Sequence, residues 1–430
     1  MKITEQQALN ILFEEVVPAE GCTEPIALAY TGAKARSILG SLPDKIVISV
    51  SGNMLKNVKS VVIPNSGGIV GIESSVAMGV VAGDCDKELM VISDVSDKQL
   101  QEIREYMKST PIVVEHVPTD VKLYIKVGVF KDDECASVEV KHLHTNITQI
   151  ERNGEVVLKQ PCNDSDFNSP LKDREKLSIK GIYELANTID LEKIRPLFKR
   201  VIELNSKIAE EGLKGQYGVN IGQLIRNNIS KGFYGNDARN RAASFAAAGS
   251  DARMSGCPLP VMTTSGSGNQ GLTASLALID FAKSMKINED FLIRCLFFSH
   301  MSTIHIKTNV GRLSAYCGVI CAAAAVAGAL CMVQRERYEV IEHAIQNTLG
   351  DISGIICDGA KASCAMKIST SITAAFDAAM LAMAGRNLSG GDGIIASDIE
   401  QTLLNIRELS SSGMKTTDDV IIDIMSKNNR

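Results

Sequence analysis

The sequence predicts an α+β protein: an all-α C-terminal catalytic domain, joined by the N-terminal helices, plus a smaller α/β domain. Two observations carry this reading. Short β-branched runs, separated by Gly- and Asp-containing turns, crowd the stretch from 42 to 165. Beyond 177 that texture gives way to helical periods alternating with Gly/Ser/Asn loops. At 430 residues the chain is too long for one ordinary core and about right for two domains.

Along the chain, Ala8, Leu9, Ile11, Leu12 and Val16 recur at helical spacing, and Pro18 ends that helix. The loop AEGC follows, and Thr23 can cap a second helix through ALAYTGAKARSIL. Residues 1–41 are therefore expected to be helices that pack on the catalytic domain. KIVISVSG, SVVIP, ELMVIS, PIVVEHV, VKLYIKVGVF and CASVEVKHLHT read as strands. Residues 74–83 and 97–109 read as helices between them, which gives an α/β domain over 42–165. The polar, Pro-containing segment QPCNDSDFNSPLKDREK, at 160–176, is the expected linker. Residues 177–430 make the all-α domain.

Composition excludes some functions. The formal net charge is −5, there is no Trp, and aromatic residues make up 4%. The chain thus lacks both the positive field and the stacking platforms that nucleic acids need, and no nucleic-acid partner is expected. MKITEQQALNILFEEV carries early acidic residues and no apolar h-region, so a cytoplasmic location is expected. Leu313 to Val333 is uncharged and long enough to span a bilayer. Ala, Gly, Ser and Cys dominate it, however, and these gain little from lipid. It reads as a buried helix, with no membrane partner. Eleven cysteines without a secretory signal argue against a disulfide framework. Six of them lie between Cys295 and Cys364, which means packing, a metal or a reactive thiol.

Several segments can carry chemistry. In TTSGSGNQGLTAS, Gly266, Gly268 and Gly271 free the backbone to aim N–H groups at an anion where a helix starts. Ser265, Ser267 and Asn269 add polar partners. SGSGNQG also looks like the phosphate loop of pyridoxal enzymes such as threonine dehydratase. No Schiff-base lysine precedes it in a matching context, and Lys231 lies in SKGFYG. Cys317 and Cys321 are spaced i, i+4, and Cys357 and Cys364 i, i+7, so either pair can face one side of a helix. Cys22, in GCTEP, stands at a helix N-terminus, where the partial positive charge favours a thiolate. No C-x-x-C is present, and spacing alone does not separate metal ligands from packing cysteines. His305, Lys307, Asn309 and Arg312 approach Cys317 as a polar, cationic wall. His142 and His144 lie on a predicted strand, pointing to the same side, and Thr145 and Asn146 follow as hydrogen-bonding partners.

EGCTEP at 20–25, SGNMLKN at 51–57, HTN at 144–146, SDARM at 250–254, SGSGNQG at 265–271, RLSAYC at 312–317 and CDGAKASCAMK at 357–367 together resemble the L-cysteine desulfidase family. That family is related to the α-domain of iron–sulfur L-serine dehydratases. The resemblance implies a [4Fe-4S] cluster and α,β-elimination of a small amino acid, L-cysteine, to pyruvate, ammonia and hydrogen sulfide. It implies Cys317, Cys357 and Cys364 as metal ligands, with Cys22 either a further ligand or a catalytic thiol. Cys321 and Cys331 match no motif and read as packing. Cys22, Lys307 and His144 are the candidates for the base. Ser265, Gly266, Ser267, Gly268, Asn269, Thr145, Asn146, Asn53 and Arg312 are the candidates for binding substrate. The chain is expected to act as a homodimer. An L-serine dehydratase on the same scaffold is the alternative enzyme. A cysteine-rich redox or iron sensor is the non-enzymatic one, but no DNA-binding module with a basic face is evident.

Overall fold

Two apolar patterns in the chain build two cores. The computed structural model describes residues 3–59, 61–168 and 171–427. Helix α1 (Glu5–Glu15) opens with a capping box between Thr4 and Gln7 and buries Ala8, Leu9, Ile11 and Leu12 in the helical core. After strand β1 (Pro18–Glu20), helix α2 (Thr23–Leu39) buries residues around most of its circumference. It joins the other core, against the sheet. This corrects the assignment of residues 1–41 as one segment of the helical domain. A helix apolar on most sides needs covering on more than one face, and α2 finds it in the sheet and a neighbouring helix.

The sheet comprises β2 (Lys45–Val50), β3 (Ile112–His116), β4 (Tyr124–Lys131), β5 (Glu134–Lys141), β6 (Ile147–Arg152) and β7 (Glu155–Lys159) in the order β3-β2-β4-β5-β6-β7. β2 and β3 run parallel, and the remaining neighbours are antiparallel. Alternate residues, such as Ile125, Val127 and Val129, are buried, so one face is packed and the other faces outward. Helices α3 (Gly52–Val58), α4 (Ile72–Ala82) and α5 (Asp97–Ser109) lie within the β2–β3 crossover. α4 crosses α2 so closely that a Cβ on Gly79 would stand 1.9 Å from the Ala29 carbonyl oxygen.

Two expected strands are not strands. Ser60, which opens SVVIP, lies outside the described residues, and Val61–Pro64 is a loop with one bridge, Val62 to Val70. ELMVIS lies in a 3₁₀ turn and the bend after it. In both, the apolar side chains (Val61, Ile63, Val91, Ile92) plug into buried positions instead of pairing edge to edge. Strands β6 and β7, not expected, form a hairpin over Asn153 and Gly154, both with positive φ.

The helical part contains α6 (Ile179–Thr188), α7 (Leu191–Lys214), α8 (Ile221–Ser230), α9 (Ala238–Met254), α10 (Gly268–Ser284), α11 (Glu289–Val310), α12 (Gly318–Val333), α13 (Tyr338–Ile352), α14 (Ser363–Met383), α15 (Ile399–Glu408) and α16 (Thr417–Lys427). The Ala-rich α12 is its axis. Val319 to Val333 are buried, and α10, α11, α13 and α14 pack around it. Its small side chains let the neighbours approach, as Gly328 does with Ile345 and Phe298. No described helix is long and apolar enough to cross a membrane. The helical region does hold one strand, β8 (Pro260–Met262), which pairs antiparallel with β1. Thr263 extends the ribbon, donating its backbone N–H to the Val17 carbonyl at 2.8 Å. A third, small cluster of Cys22, Val61 and Met254, backed by Ala360 and Cys364, lies apart from both large cores.

His300 of α11 is fully buried, edge-on to Phe198, with Nδ1 2.7 Å from the Thr264 hydroxyl. Burial pushes its pKa from 6.5 down to about 3. The unfolded chain protonates near 6.5 and the folded chain does not. This contribution to stability is therefore complete above 6.5 and is lost as pH falls toward 3. By pH 5 the loss amounts to about 2 kcal/mol. Urea unfolding at pH 7 and pH 5 should show wild type losing about 2 kcal/mol more over that interval than His300→Asn. Equal losses would reject this account.

Candidate active site

The β1–β8 ribbon delivers Gly21 to Glu24 to the start of α10. Thr23 Oγ1 donates to the Gly266 carbonyl at 2.8 Å, across 243 positions of sequence. The Gly-rich loop folds on itself through reciprocal backbone hydrogen bonds of 3.1 Å between Thr264 and Ser267. Ser265 and Gly266 turn the chain through positive φ, and the Ser267 hydroxyl caps α10 by accepting from the Gln270 N–H. A Cβ at Gly266 would meet the His144 ring at 2.8 Å and Arg312 Nη1 at 2.9 Å, so the backbone must be bare there.

The sequence brings the thiols from four places. An antiparallel bridge joins Tyr316 to Ile356 and so sets Cys317 beside Cys357. The flanking backbone bonds are Cys357 N–H to Ala315 O, 2.7 Å, and Cys317 N–H to Ile355 O, 3.2 Å. Cys317 is the N-cap residue of α12, and Cys364 occupies the first turn of α14. Cys22 caps α2, with its thiol 4.0 Å from the Met254 sulfur. The four line one cavity of about 100 Å³, far smaller than the roughly 300–1,000 Å³ of sites for drug-sized ligands.

Their ionisation differs by surroundings. The Cys317 thiol donates to Cys357, and the Lys56 and Lys307 ammoniums and the Gly359 N–H add to this. Cys357 is thereby held well below the ordinary thiol range despite its burial. Cys317, the donor, is raised for the same reason and by burial. Burial also raises Cys364. It pushes Cys22 up to about 12, outweighing the nearby Arg253. The thiolate expected at Cys22 from its helix N-terminus is thus overturned: desolvation exceeds the helix field, and the thiol is neutral.

The rest of the wall is cationic. Lys56, on α3, donates to the Cys357 carbonyl at 3.1 Å and pairs with Asp418 of α16 at 2.6 Å. Arg253, at the end of α9, and Lys307, at the end of α11, line the same cavity. Arg312 is anchored 2.8 Å from Glu15, which also holds Arg174 at 2.9 Å. Burial opposes ionisation of Glu15, but the Arg312 and Arg174 guanidiniums overcome it and hold the carboxyl below its ordinary value. Burial raises the pKa of Glu24, which accepts from Asn57 at 3.1 Å. Burial, with Arg312 and Arg253, pushes His144 down to about 3, so its ring is neutral. Four buried polar atoms facing this region have no partner: His144 Nε2, Arg253 Nε, Gln270 Oε1 and Asn57 Oδ1. Each can form a hydrogen bond with a bound molecule.

Among the residues singled out from sequence, Cys22, His144, Ser265, Gly266, Ser267, Asn269, Lys307, Arg312, Cys317, Cys357 and Cys364 meet in this cavity. Asn53 does not. It lies one turn earlier on α3, beside Asp418, and the next turn brings Lys56 and Asn57 to the site. Thr145 and Asn146 line an adjoining depression behind His144, and Asn146 is committed to the Lys141 carbonyl at 2.9 Å. Gly268 packs on Arg253 and is not part of the lining. His305 leaves the expected wall for Glu400, at 2.7 Å, and Asn309 bonds back to its own helix. The strand expected to carry both His142 and His144 ends at Lys141, and the turn sends the two rings to different places. Thr23, Glu24, Lys56, Asn57, Arg253 and Gln270 belong to the site unannounced, although each lies inside a motif already noted.

The chain is similar to several proteins along nearly its whole length. UPF0597 protein FN1147 of Fusobacterium nucleatum is 59% identical, over 98% of this chain and 99% of that protein. UPF0597 protein DSY1109 of Desulfitobacterium hafniense is 45% identical over 98% and 96%. A UPF0597 protein of Treponema denticola is 41% identical over 99% of each. Residues 86–423 match the serine dehydratase alpha chain family, and the chain belongs to that family.

Proposed function

We propose that this protein is a lyase, independent of pyridoxal phosphate, that eliminates the β-substituent of L-cysteine to give pyruvate, ammonia and hydrogen sulfide. One observation carries the reading: Cys317, Cys357 and Cys364 share a small cavity with the Gly-rich loop and four cationic side chains. Family membership supports an elimination of this class.

The donor set fits an iron–sulfur cluster. Three thiols converge, one already inclined to ionise, and Lys56, Lys307 and Arg253 offset the charge of thiolates. Bound through Cys317, Cys357 and Cys364, a [4Fe-4S] cluster would have one iron without a protein thiolate and so supply a Lewis acid. Arg312, fixed by Glu15, binds the substrate α-carboxylate, with the Ser265 and Ser267 hydroxyls of the loop as further donors. His144, neutral and with an open Nε2, offers one hydrogen bond without adding charge.

Elimination removes the Cα proton and breaks the Cβ–S bond, with sulfur leaving as hydrogen sulfide. The resulting enamine tautomerises to an imine, which water converts to pyruvate and ammonia. A base must stand within reach of Cα. Cys22 is held neutral by burial and the basicity of His144 is depressed, so we assign the proton transfer to Lys307, buried on the cavity wall, whose ammonium must first give up a proton so that the free amine can take the one from Cα.

Anaerobically reconstituted protein should release pyruvate from L-cysteine with a higher kcat/KM than from L-serine. Faster release from L-serine would make it a serine dehydratase, and release from neither would reject the lyase reading. Cys357→Ser should lose iron and turnover, whereas Cys321→Ser, buried within α12, should keep both; iron retained in Cys357→Ser would exclude that ligand. Lys307→Met should keep its iron but lose about 10²–10⁴-fold in kcat. Undiminished turnover would place the base elsewhere.

A further inference from the structure

A second constellation lies outside the catalytic cavity, where the end of β5 meets the polar segment 160–168. One imidazole nitrogen of His142, the Cys162 sulfur and one Asp164 oxygen lie within 4.8 Å of one another. The His142 ring faces this segment, with Nε2 3.1 Å from the Asn163 carbonyl. His142 is buried, Cys162 half-buried and Asp164 exposed, so the three form a shelf open on one side. His142 and Asp164 also line a cavity of about 280 Å³ that reaches Arg312 and Leu313.

We propose that His142, Cys162 and Asp164 form a mononuclear site for a borderline-soft divalent cation of the Zn²⁺ class, separate from the cysteines of the catalytic cavity. Imidazole, thiolate and carboxylate are the three protein ligand types such ions take, and three ligands leave a fourth position for water from the cavity. A thiolate and a carboxylate balance the charge of a divalent ion. Binding releases the Cys162 thiol proton to solvent; the imidazole keeps its proton on Nε2, which donates to the Asn163 carbonyl, and offers Nδ1 to the ion. Lys141 holds Asp164 at 3.0 and 3.2 Å, and the ion must share that carboxylate with it. Glu139, 3.4 Å from the same ammonium, can keep Lys141 paired. The ion fastens the 160–168 segment to the sheet and fixes the turn that, two residues on, carries His144 into the catalytic cavity.

The test uses the cluster-loaded protein, so that the catalytic cysteines are occupied. It is incubated anaerobically with Zn²⁺, cleared of free metal and analysed for zinc and iron. Wild type should retain one zinc per chain in addition to its iron. Cys162→Ser should retain essentially none while keeping its iron, and Asp164→Asn should bind zinc about 10-fold or more weakly. With Co²⁺, a thiolate-to-cobalt charge-transfer band should appear in wild type and be absent from Cys162→Ser. Failure of wild type to retain zinc overturns the site, as does equal zinc content in wild type, Cys162→Ser and His142→Asn. None of these readouts depends on turnover, so the metal site and the proposed lyase activity stand or fall separately.

Discussion

A ribbon of three residues on three holds this molecule's chemistry together. β1 and β8 pair Pro18 with Met262 and Glu20 with Pro260, across a sequence gap longer than either domain's elements. Without it, the α2 N-terminus, which carries Cys22 and Thr23, would have no fixed relation to the Gly-rich loop. With it, the Thr23 hydroxyl reaches Gly266, and the small cluster of Cys22, Val61 and Met254 closes between the two cores. Close backbone contact is possible because the neighbours are small: a Cβ at Gly271 would fall 1.9 Å from the Met262 carbonyl oxygen.

The cavity is also a lesson in competing electrostatic terms. Burial is common to all its titratable groups, yet it decides only some of them. Cys22, Cys364 and His144 yield to desolvation, and their charged forms are suppressed. Cys357 and Glu15 do not, because each receives donors and cationic neighbours sufficient to outweigh the same penalty. The site thus mixes neutral and anionic members within a few ångströms, each set by its partners and not by its residue type.

Much of this was legible in the chain. The apolar repeat of α1, the buried Ala-rich α12, the polar loop before α10 and the set of motifs that meet in the cavity follow from local patterns. The Asn153–Gly154 hairpin was written in the sequence as well, in the turn residues that a tight hairpin demands. Other features were not legible. β1 and β8 are three residues long and each begins or ends on proline, so no strand pattern can announce them. ELMVIS is strand-like in composition but serves as a plug, a distinction made only by what it packs against. Asn53 and Lys56 lie one turn apart on α3, and only tertiary packing shows that Lys56, held between Asp418 of α16 and the Cys357 carbonyl, lines the cavity while Asn53 does not. The Cys22 inference failed because a local rule about helix ends met a tertiary fact about water exclusion.

The ion pair between Lys56 and Asp418 spans 362 positions of sequence. Its ammonium also touches the Cys357 carbonyl, so the electrostatics of the cavity are incomplete until residue 418 has left the ribosome. During synthesis the sheet can form early from neighbouring strands, while the thiols wait on partners that do not yet exist. The last described helix thus reaches back across the chain to set the charge beside a thiol in a cavity that it does not itself line.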